Sequence, residues 1–112
     1  MSDINRWFSS VGEGWQNLIL ETHQKLLHLD PNYTISQIEE KFGTLRYYFD
    51  FSKGLDQMTV QIMNDIVALA EDRSGFTCEQ CGRRAKLRCK NHWYYTACFD
   101  CVPFNPEFDK EE

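Results

Sequence analysis

The sequence lacks the features of a membrane-spanning or secreted protein. No uninterrupted apolar run approaches the roughly 18 residues that cross a bilayer. The first residues, Met-Ser-Asp-Ile-Asn-Arg-Trp-Phe, contain no apolar segment behind a basic one, as a secretory signal would. Cysteine is absent before position 78, whereas a disulfide framework would distribute its cross-links over the fold. We therefore expect a cytoplasmic protein with no membrane association.

Signatures of catalysis are also missing. The chain has no Gly-x-Ser-x-Gly, no glycine-rich phosphate loop and no Cys–His nucleophile pair outside its cysteine cluster. His23 and His28 are five positions apart on a predicted helix, and each is expected to be a solvated helix residue. Glu39 and Glu40 are adjacent in a predicted strand, so they should face opposite sides and cannot cooperate as an acid–base pair. These absences predict a protein that is not an enzyme.

The composition is that of a folded, acidic protein. With 112 residues, of which 42% are hydrophobic and 14% aromatic, the chain is too apolar for intrinsic disorder and fits one domain with a small appendage. Residues 1–75 carry a net charge of −5, residues 76–102 of +3 and residues 103–112 of −3. A whole-protein nucleic-acid binder would normally be basic. The charges instead predict an acidic body, a basic module and an acidic tail with these bounds.

Hydrophobic periodicity predicts two helices in the body. Apolar residues recur near helical spacing over residues 12–29, and Pro31 should end this first helix. The helical period returns at Leu55 and stops at Gly75, where a C-cap glycine belongs. The face of the second helix that we expect to be buried comprises Leu55, Met58, Ile62, Ile66, Leu69 and Ala70.

The segment between the helices predicts a β-hairpin. Residues 35–51 alternate with a period of two on either side of Gly43-Thr44, the expected turn. Leu45, Tyr47 and Phe49 should form its apolar face. Because a two-stranded hairpin is marginal alone, this face should pack on the two helices. The predicted fold class is therefore α+β, with two helices packed on a small antiparallel hairpin.

The cysteines predict a metal site. Four of the five form two C-x2-C pairs, which are separated by sixteen residues. Two residues between thiolates let one tight turn aim both sulfurs at a single ion, and two such turns complete the tetrahedron that zinc prefers. We expect one structural Zn²⁺ per chain in a zinc-ribbon or treble-clef-like module that packs on the second helix. The predicted ligands are Cys78, Cys81, Cys98 and Cys101.

Two other residues could take a place in this site. Cys89 and His92 are also separated by two residues, and either could replace one of the paired cysteines as an alternative metal ligand. Four thiolates would leave no open position for a water molecule, so the zinc should be structural rather than catalytic. Gly82, directly after the first pair, should adopt a positive φ.

The module also carries a basic and aromatic run. Cations could contact phosphates and an aromatic ring could stack on a base. The alternative is that the cations offset the two net negative charges of a zinc ion bound by four thiolates and that the aromatic rings form the core of a very small module. The candidate nucleic-acid residues are Arg83, Arg84, Lys86, Arg88 and Trp93.

Several segments together resemble a family of small uncharacterised proteins of bacterial genomes and phages. These segments are Gly14-Trp15, the motif Lys41-Phe-Gly-Thr-Leu-Arg-Tyr-Tyr48, Cys78 to Gly82, and Trp93 to Cys101. The family has a Lys-Phe-Gly-Gly-Leu-Arg-Phe-Tyr-like core motif and a C-terminal zinc-binding module. This chain differs at Thr44, which replaces the second glycine, and in its first cysteine turn. The resemblance implies the fold and the zinc module, and it implies no activity.

Two functions fit these observations. The first is a zinc-stabilised protein-binding module, as an immunity or antitoxin-like inhibitor of a basic toxin domain, because an acidic surface speeds association with a basic partner. The candidate contact charges are Glu39, Glu40, Asp50, Asp65, Glu71 and Asp72. The alternative is a zinc-ribbon nucleic-acid-binding accessory protein of phage or bacterial origin, which would bind through residues 83–95.

Overall fold

The computed structural model describes residues 4–102, so the predicted acidic tail lies outside the described residues. Within these residues the α+β class is confirmed: three helices accompany two small antiparallel sheets of two strands each. No described helix is both long enough and apolar enough to span a membrane. In chain order the elements are α1 (Asn5–Phe8), a 3-10 helix (Glu13–Trp15), α2 (Gln16–Leu29), β1 (Thr34–Lys41), β2 (Thr44–Asp50), α3 (Gln57–Ser74), β3 (Lys86–Lys90) and β4 (Trp93–Ala97).

The inner face of the first hairpin lies in the main core. Leu45 and Tyr47 are buried and Phe49 is half-buried against the same core, so the predicted strand register is confirmed. Ile38 of β1 pairs with Tyr47 and is also buried. Two helices cover this face with residues such as Ile19 and Met63. A hairpin too small to be stable alone is thereby stabilised by packing against two helices.

The hairpin turn differs from the prediction by one residue. Lys41 pairs with Thr44, so the two turn residues are Phe42 and Gly43 rather than Gly43 and Thr44. Both have positive φ, 55° and 83° respectively, as a type I′ turn requires. The alternation was correctly predicted, but the pattern alone did not show that a phenylalanine takes a left-handed turn position.

A buried hydrogen-bonded chain links α2 to the hairpin. Tyr33 Oη lies 2.5 Å from His23 Nδ1 and 2.7 Å from Tyr47 Oη. The expectation that His23 is solvated is wrong, because the face of α2 turned toward the hairpin includes it. Burial lowers the pKa of His23 and raises the pKa of Tyr33 to about 12. The imidazole and the phenol are therefore neutral at physiological pH, and the chain has a structural role.

The buried face of α3 overlaps the predicted one only in part. Of the residues expected there, Ala70 is buried and Leu55 and Ile66 are half-buried against the core, whereas Met58, Ile62 and Leu69 are exposed. Met63, Val67 and Ser74 are buried instead. Hydrogen bonds to β2 fix this orientation. Ser74 Oγ accepts from the backbone N–H of Leu45 at 2.8 Å, and Glu71 Oε2 accepts from that of Tyr47 at 2.9 Å. These bonds hold α3 against the sheet, so the side of the helix that carries Met63, Val67, Ala70 and Ser74 faces inward.

Substitution of Leu45 tests the packing of the hairpin. Leu45 is fully buried, so we expect Leu45→Ala to lower the free energy of unfolding by about 3 kcal/mol through loss of contacts and a cavity. Tyr48→Ala, on the exposed outer face, should change it by less than about 0.5 kcal/mol. Urea denaturation followed by circular dichroism measures both. Equal effects would contradict the inward orientation of Leu45.

Candidate metal centre

The four paired cysteines converge at one point. The Sγ atoms of Cys78, Cys81, Cys98 and Cys101 all lie within 4.8 Å of one another. Cys81 Sγ and Cys98 Sγ are 3.5 Å apart, well beyond the ~2.05 Å of a disulfide. Tetrahedral zinc with Zn–S distances of about 2.3 Å would separate its sulfurs by roughly 3.8 Å. The cluster therefore has the composition and approximate size of a site for one tetrahedral metal ion.

The first cysteine pair lies on a tight turn. The N–H of Cys78 donates to Arg83 O at 2.8 Å, and the N–H of Gly82 donates to Cys78 O at 3.0 Å. Gly82 has φ of 82°, which confirms the predicted positive φ. The N–H of Gln80 points at Cys78 Sγ at 3.4 Å. This turn directs both cysteine side chains to the same side and gives the first sulfur an N–H donor.

The second pair follows β4 directly. The N–H groups of Cys101 and Val102 both donate to Cys98 O, at 3.1 and 3.2 Å, so this pair also lies on a turn. Ala97 and Val102 are buried beside Cys78 and Cys98. Apart from these few residues the module has little apolar interior. Its cysteines therefore occupy the position that a hydrophobic core would take in a larger domain.

The sulfurs of the site differ in how readily they ionise. Burial alone would raise the pKa of the Cys78 thiol, but backbone N–H groups of Cys98, Cys81 and Gln80 stabilise the thiolate and lower the pKa to about 7. The pKa of Cys101 is raised by burial and by the neighbouring sulfurs. Cys78 is thus prepared to ionise, whereas Cys101 needs a nearby cation to do so. A bound divalent metal supplies that cation.

The two alternative ligands are not part of the cluster. Within residues 4–102, the side chains close enough to share an ion with Cys78 include neither Cys89 nor His92. Cys89 pairs with Tyr94 across the second hairpin, and His92 is exposed in its turn. A set of four cysteines is consequently the arrangement that the geometry supports.

The module docks on the 3-10 helix. The N–H of Gly14 donates to Glu79 O at 2.8 Å, and Trp15 Nε1 donates to Thr77 O at 2.8 Å. A Cβ atom on Gly14 would lie 1.9 Å from Cys78 O, and one on Gly12 would lie 2.2 Å from Glu79 O. The prediction that the module packs on α3 missed this contact with the 3-10 helix. Gly12 and Gly14 let the two backbones approach closely here.

A second set of contacts joins the module to the first hairpin. Thr96 Oγ1 donates to Gly43 O at 2.6 Å, and Leu87 lies against the Gly43 backbone. Glu79 holds Thr96 from the other side, with its Oε2 accepting from the Thr96 N–H at 2.7 Å. Burial, aided by the charges of Glu40 and Cys78, raises the pKa of Glu79 to about 7. The cysteine module and the hairpin turn are therefore built as one continuous unit.

The basic run does not form one surface. Arg88 is buried and its Nε donates to Ala97 O at 2.9 Å, so its placement among nucleic-acid contacts is wrong. Arg83 forms an ion pair with Asp100 at 2.9 Å between the two cysteine turns. Arg84, Lys86 and Trp93 are exposed. The structure therefore leaves only part of the predicted nucleic-acid set on the surface.

The acidic residues predicted as partner contacts also do not form one surface. Glu71 binds the N–H of Tyr47, and Glu40 Oε2 accepts from the N–H of Gly43 at 2.6 Å, so both have internal roles and their selection as partner contacts is not supported. Glu39 lies opposite Arg46 in the first hairpin, and Asp50 is exposed at the end of β2. Only Asp65 and Asp72 share an exposed helix surface. They are the pair that the fold brings together.

Comparisons of this chain with protein-family models, with curated proteins and with solved structures found no match. The resemblance to the small bacterial and phage proteins therefore stays a prediction.

Proposed function

We propose that the chain is a zinc-stabilised, non-catalytic module that binds a basic protein through the exposed face of α3. The observation that carries this proposal is an apolar stripe on α3, which we define as Met58, Ile62 and Leu69. These side chains are 71%, 41% and 57% exposed. Isolated exposed apolar residues are ordinary, but three on one helix face are typical of a docking surface.

The members of the stripe lie on one side of the helix. At about 100° per residue, its three members lie within about 40° of each other, on the side away from Met63 and Val67. Ile66 extends the apolar surface into a groove of about 430 Å³ between α2 and α3, where it meets Leu29. An amphipathic partner could therefore bury the stripe and the groove together.

Charges beside the stripe favour a basic partner. Asp65 and Asp72 are exposed on one side of it. On the other side Lys25 and Arg73 both contact Glu21, at 3.1 and 3.2 Å. A second copy of this chain is a poor occupant, because antiparallel docking about the middle of the stripe would bring each Asp65 toward its own counterpart. A basic surface would instead gain attraction and a faster on-rate.

The metal has a structural role in this proposal. Cys78, Cys81, Cys98 and Cys101 would bind one Zn²⁺, and the ion would supply the cross-link that a module of residues 76–102 lacks. In finer terms the module is a zinc ribbon or a treble-clef relative. The four thiolates fill the coordination sphere, which fits a protein without catalytic function.

The biological role that fits best is inhibition. A small, acidic, cytoplasmic protein with one apolar helix face suits an immunity or antitoxin-like protein, since toxin domains that act on nucleic acid are often basic. The observation that supports this role is the juxtaposition of the stripe with Asp65 and Asp72.

Association kinetics test the docking surface. The ligand is the purified polypeptide encoded beside the gene for this chain. We expect Asp65→Lys/Asp72→Lys to slow association about tenfold at low salt, with a smaller effect as screening shortens to about 8 Å at physiological ionic strength. Ile62→Ser/Leu69→Ser should speed dissociation. Biolayer interferometry measures both rates.

Control variants separate this surface from the general acidity of the chain. Glu39→Lys/Asp50→Lys makes the same change in net charge on the hairpin, away from α3, and should leave the association rate within about twofold of the wild type. Equal slowing by both double variants would show that only net charge matters. No binding by any neighbouring gene product would contradict the inhibitor role.

The alternative function is nucleic-acid binding by the module. Exposed Arg84, Lys86 and Trp93 support it, whereas the burial of Arg88 and the ion pair of Arg83 with Asp100 weaken it. Burial removes Arg88 from the basic strip and Asp100 offsets the charge of the exposed Arg83, so the strip would bind phosphate weakly. Arg84 and Lys86 lie outside the stripe on α3. Reversing their charges should have little effect on the affinity for a protein partner bound through α3.

A further inference from the structure

The two hairpin turns meet at one edge of the molecule and form a notch. The first turn contributes Lys41 and Phe42, and the second contributes His92, Trp93 and Tyr94. The notch has a volume of about 320 Å³, at the lower end of the range for ligand sites. Phe42 of the first hairpin and Tyr94 of the cysteine module contact each other edge to face, with ring centroids 6.2 Å apart. The notch therefore belongs to both the body and the cysteine module.

The backbone at this notch is unusual. In residues 4–102, the non-glycine residues with positive φ are Phe42, Asn91 and His92, at 55°, 53° and 68°. All three lie in these two turns. Asparagine tolerates the left-handed region, but phenylalanine is a rare choice there. Residues held in sparsely populated backbone regions cluster at functional sites.

Burial does not account for the aromatic residues either. Phe42 is 61% exposed, Trp93 is 59% exposed and Tyr94 is 41% exposed. Phe42 thus stands where neither backbone preference nor core packing favours it. Exposed aromatic rings at one notch form a surface on which flat rings can stack.

The charges around the notch are suited to a ligand that is flat and anionic. Lys41 Nζ lies 5.9 Å from the Phe42 ring centroid, and Lys90 pairs with Trp93 at the base of the second turn. The carboxylate that lines the notch belongs to Glu40, which accepts the Gly43 N–H at 2.6 Å. That carboxylate is hydrogen-bonded within its own turn, whereas the exposed Lys41 can approach a phosphate.

From this arrangement we propose that the notch binds single-stranded nucleic acid. One base would stack on Phe42 and a second on Trp93, while Lys41 contacts a flanking phosphate. Base stacking on aromatic side chains is tolerant of sequence, and it requires unpaired bases. The proposal is independent of the docking surface on α3, because the two sites share no residue.

The decisive variant is Phe42→Asn. Asparagine followed by Gly43 is the preferred pair for a type I′ turn, so the turn is kept and the ring is removed. We expect the affinity for an oligodeoxythymidine of about 12 nucleotides to fall about tenfold, the loss of one stacked base. The melting temperature should rise by about 4 °C, since the left-handed phenylalanine is replaced by a compatible residue. A purely structural role for Phe42 predicts no loss of binding.

Matched variants sharpen the test. Trp93→Thr in β4 should weaken binding about tenfold, whereas Tyr48→Thr, also an exposed strand aromatic but outside the notch, should not change it. Lys41→Gln should make the slope of log affinity against log salt shallower by about 0.7. Ile62→Ser on α3 should leave this affinity at the wild-type value.

Fluorescence anisotropy at about 150 mM salt measures these affinities. Tight binding of oligothymidine or of oligouridine supports the proposal, and the ratio of the two affinities shows whether the 2′-hydroxyl is recognised. Duplex DNA bound as well as single strands would overturn it, as would wild-type affinity in Phe42→Asn. The absence of any oligonucleotide binding, with an aromatic peptide bound instead, would reassign the notch to a protein partner.

Discussion

Replacing Cys78 by serine should abolish metal binding and unfold residues 76–102, while the helices and the first hairpin stay folded. Cys78 is fully buried and its sulfur lies among the other three. Zinc binding and folding share one free energy in modules of this kind, with apparent binding free energies of roughly 10–16 kcal/mol in zinc-finger peptides. Elemental analysis should find one zinc per wild-type chain and none in the variant. Amide NMR spectra should show which segment has lost its dispersion.

Cys89→Ser is the matched control for this experiment. Cys89 lies in β3 outside the sulfur cluster, so the variant should retain one zinc per chain and a wild-type spectrum. Loss of zinc in Cys89→Ser would place Cys89 among the ligands. A wild-type protein that is folded over residues 76–102 without any metal would refute the structural role of zinc.

Gly14→Ala should destabilise the protein by about 3 kcal/mol, more than most single methyl additions. The added Cβ would lie 1.9 Å from Cys78 O and 2.6 Å from Gly82 N, both backbone atoms that side-chain rotation cannot move. The hydrogen bond from Gly14 N–H to Glu79 O would be strained as well. Urea denaturation of the zinc-loaded protein measures the change.

Gly75→Ala provides the comparison. Gly75 has φ of −70°, and the nearest atom to an added Cβ would be at an ordinary 3.5 Å. This variant should differ from the wild type by less than about 0.5 kcal/mol. If Gly14→Ala were equally mild, the close docking of the module on the 3-10 helix would be contradicted.

Local patterns in the sequence were enough to predict the parts of the fold that local rules determine. The alternation of Leu45, Tyr47 and Phe49 identified the inner face of the hairpin, because the period of a strand is fixed at two. The spacing of the cysteines identified the four sulfurs that meet, because a turn of two intervening residues has few geometries. Gly82 was predicted correctly for the same reason.

Long-range contacts decided the features that were missed. Both faces of α3 carry apolar residues. The face that is buried is selected by Ser74 and Glu71, which accept hydrogen bonds from backbone N–H groups of a distant strand. Gly14 lies about 64 positions from Cys78 in sequence, so no local pattern could reveal their approach. His23 is buried rather than solvated because the hydroxyl group of Tyr33 supplies a hydrogen-bond partner.

The hydrogen bonds from α3 to β2 also protect the protein from self-association through its sheet. A strand at the edge of a sheet presents N–H and C=O groups that another chain can pair with, which is a route to aggregation. In β2 the edge N–H groups of Leu45 and Tyr47 are already occupied by Ser74 Oγ and Glu71 Oε2. A carboxylate at this edge further repels an incoming strand's carbonyl oxygens. The same two side chains that orient α3 thus shield the β2 edge of this sheet from pairing with a neighbour.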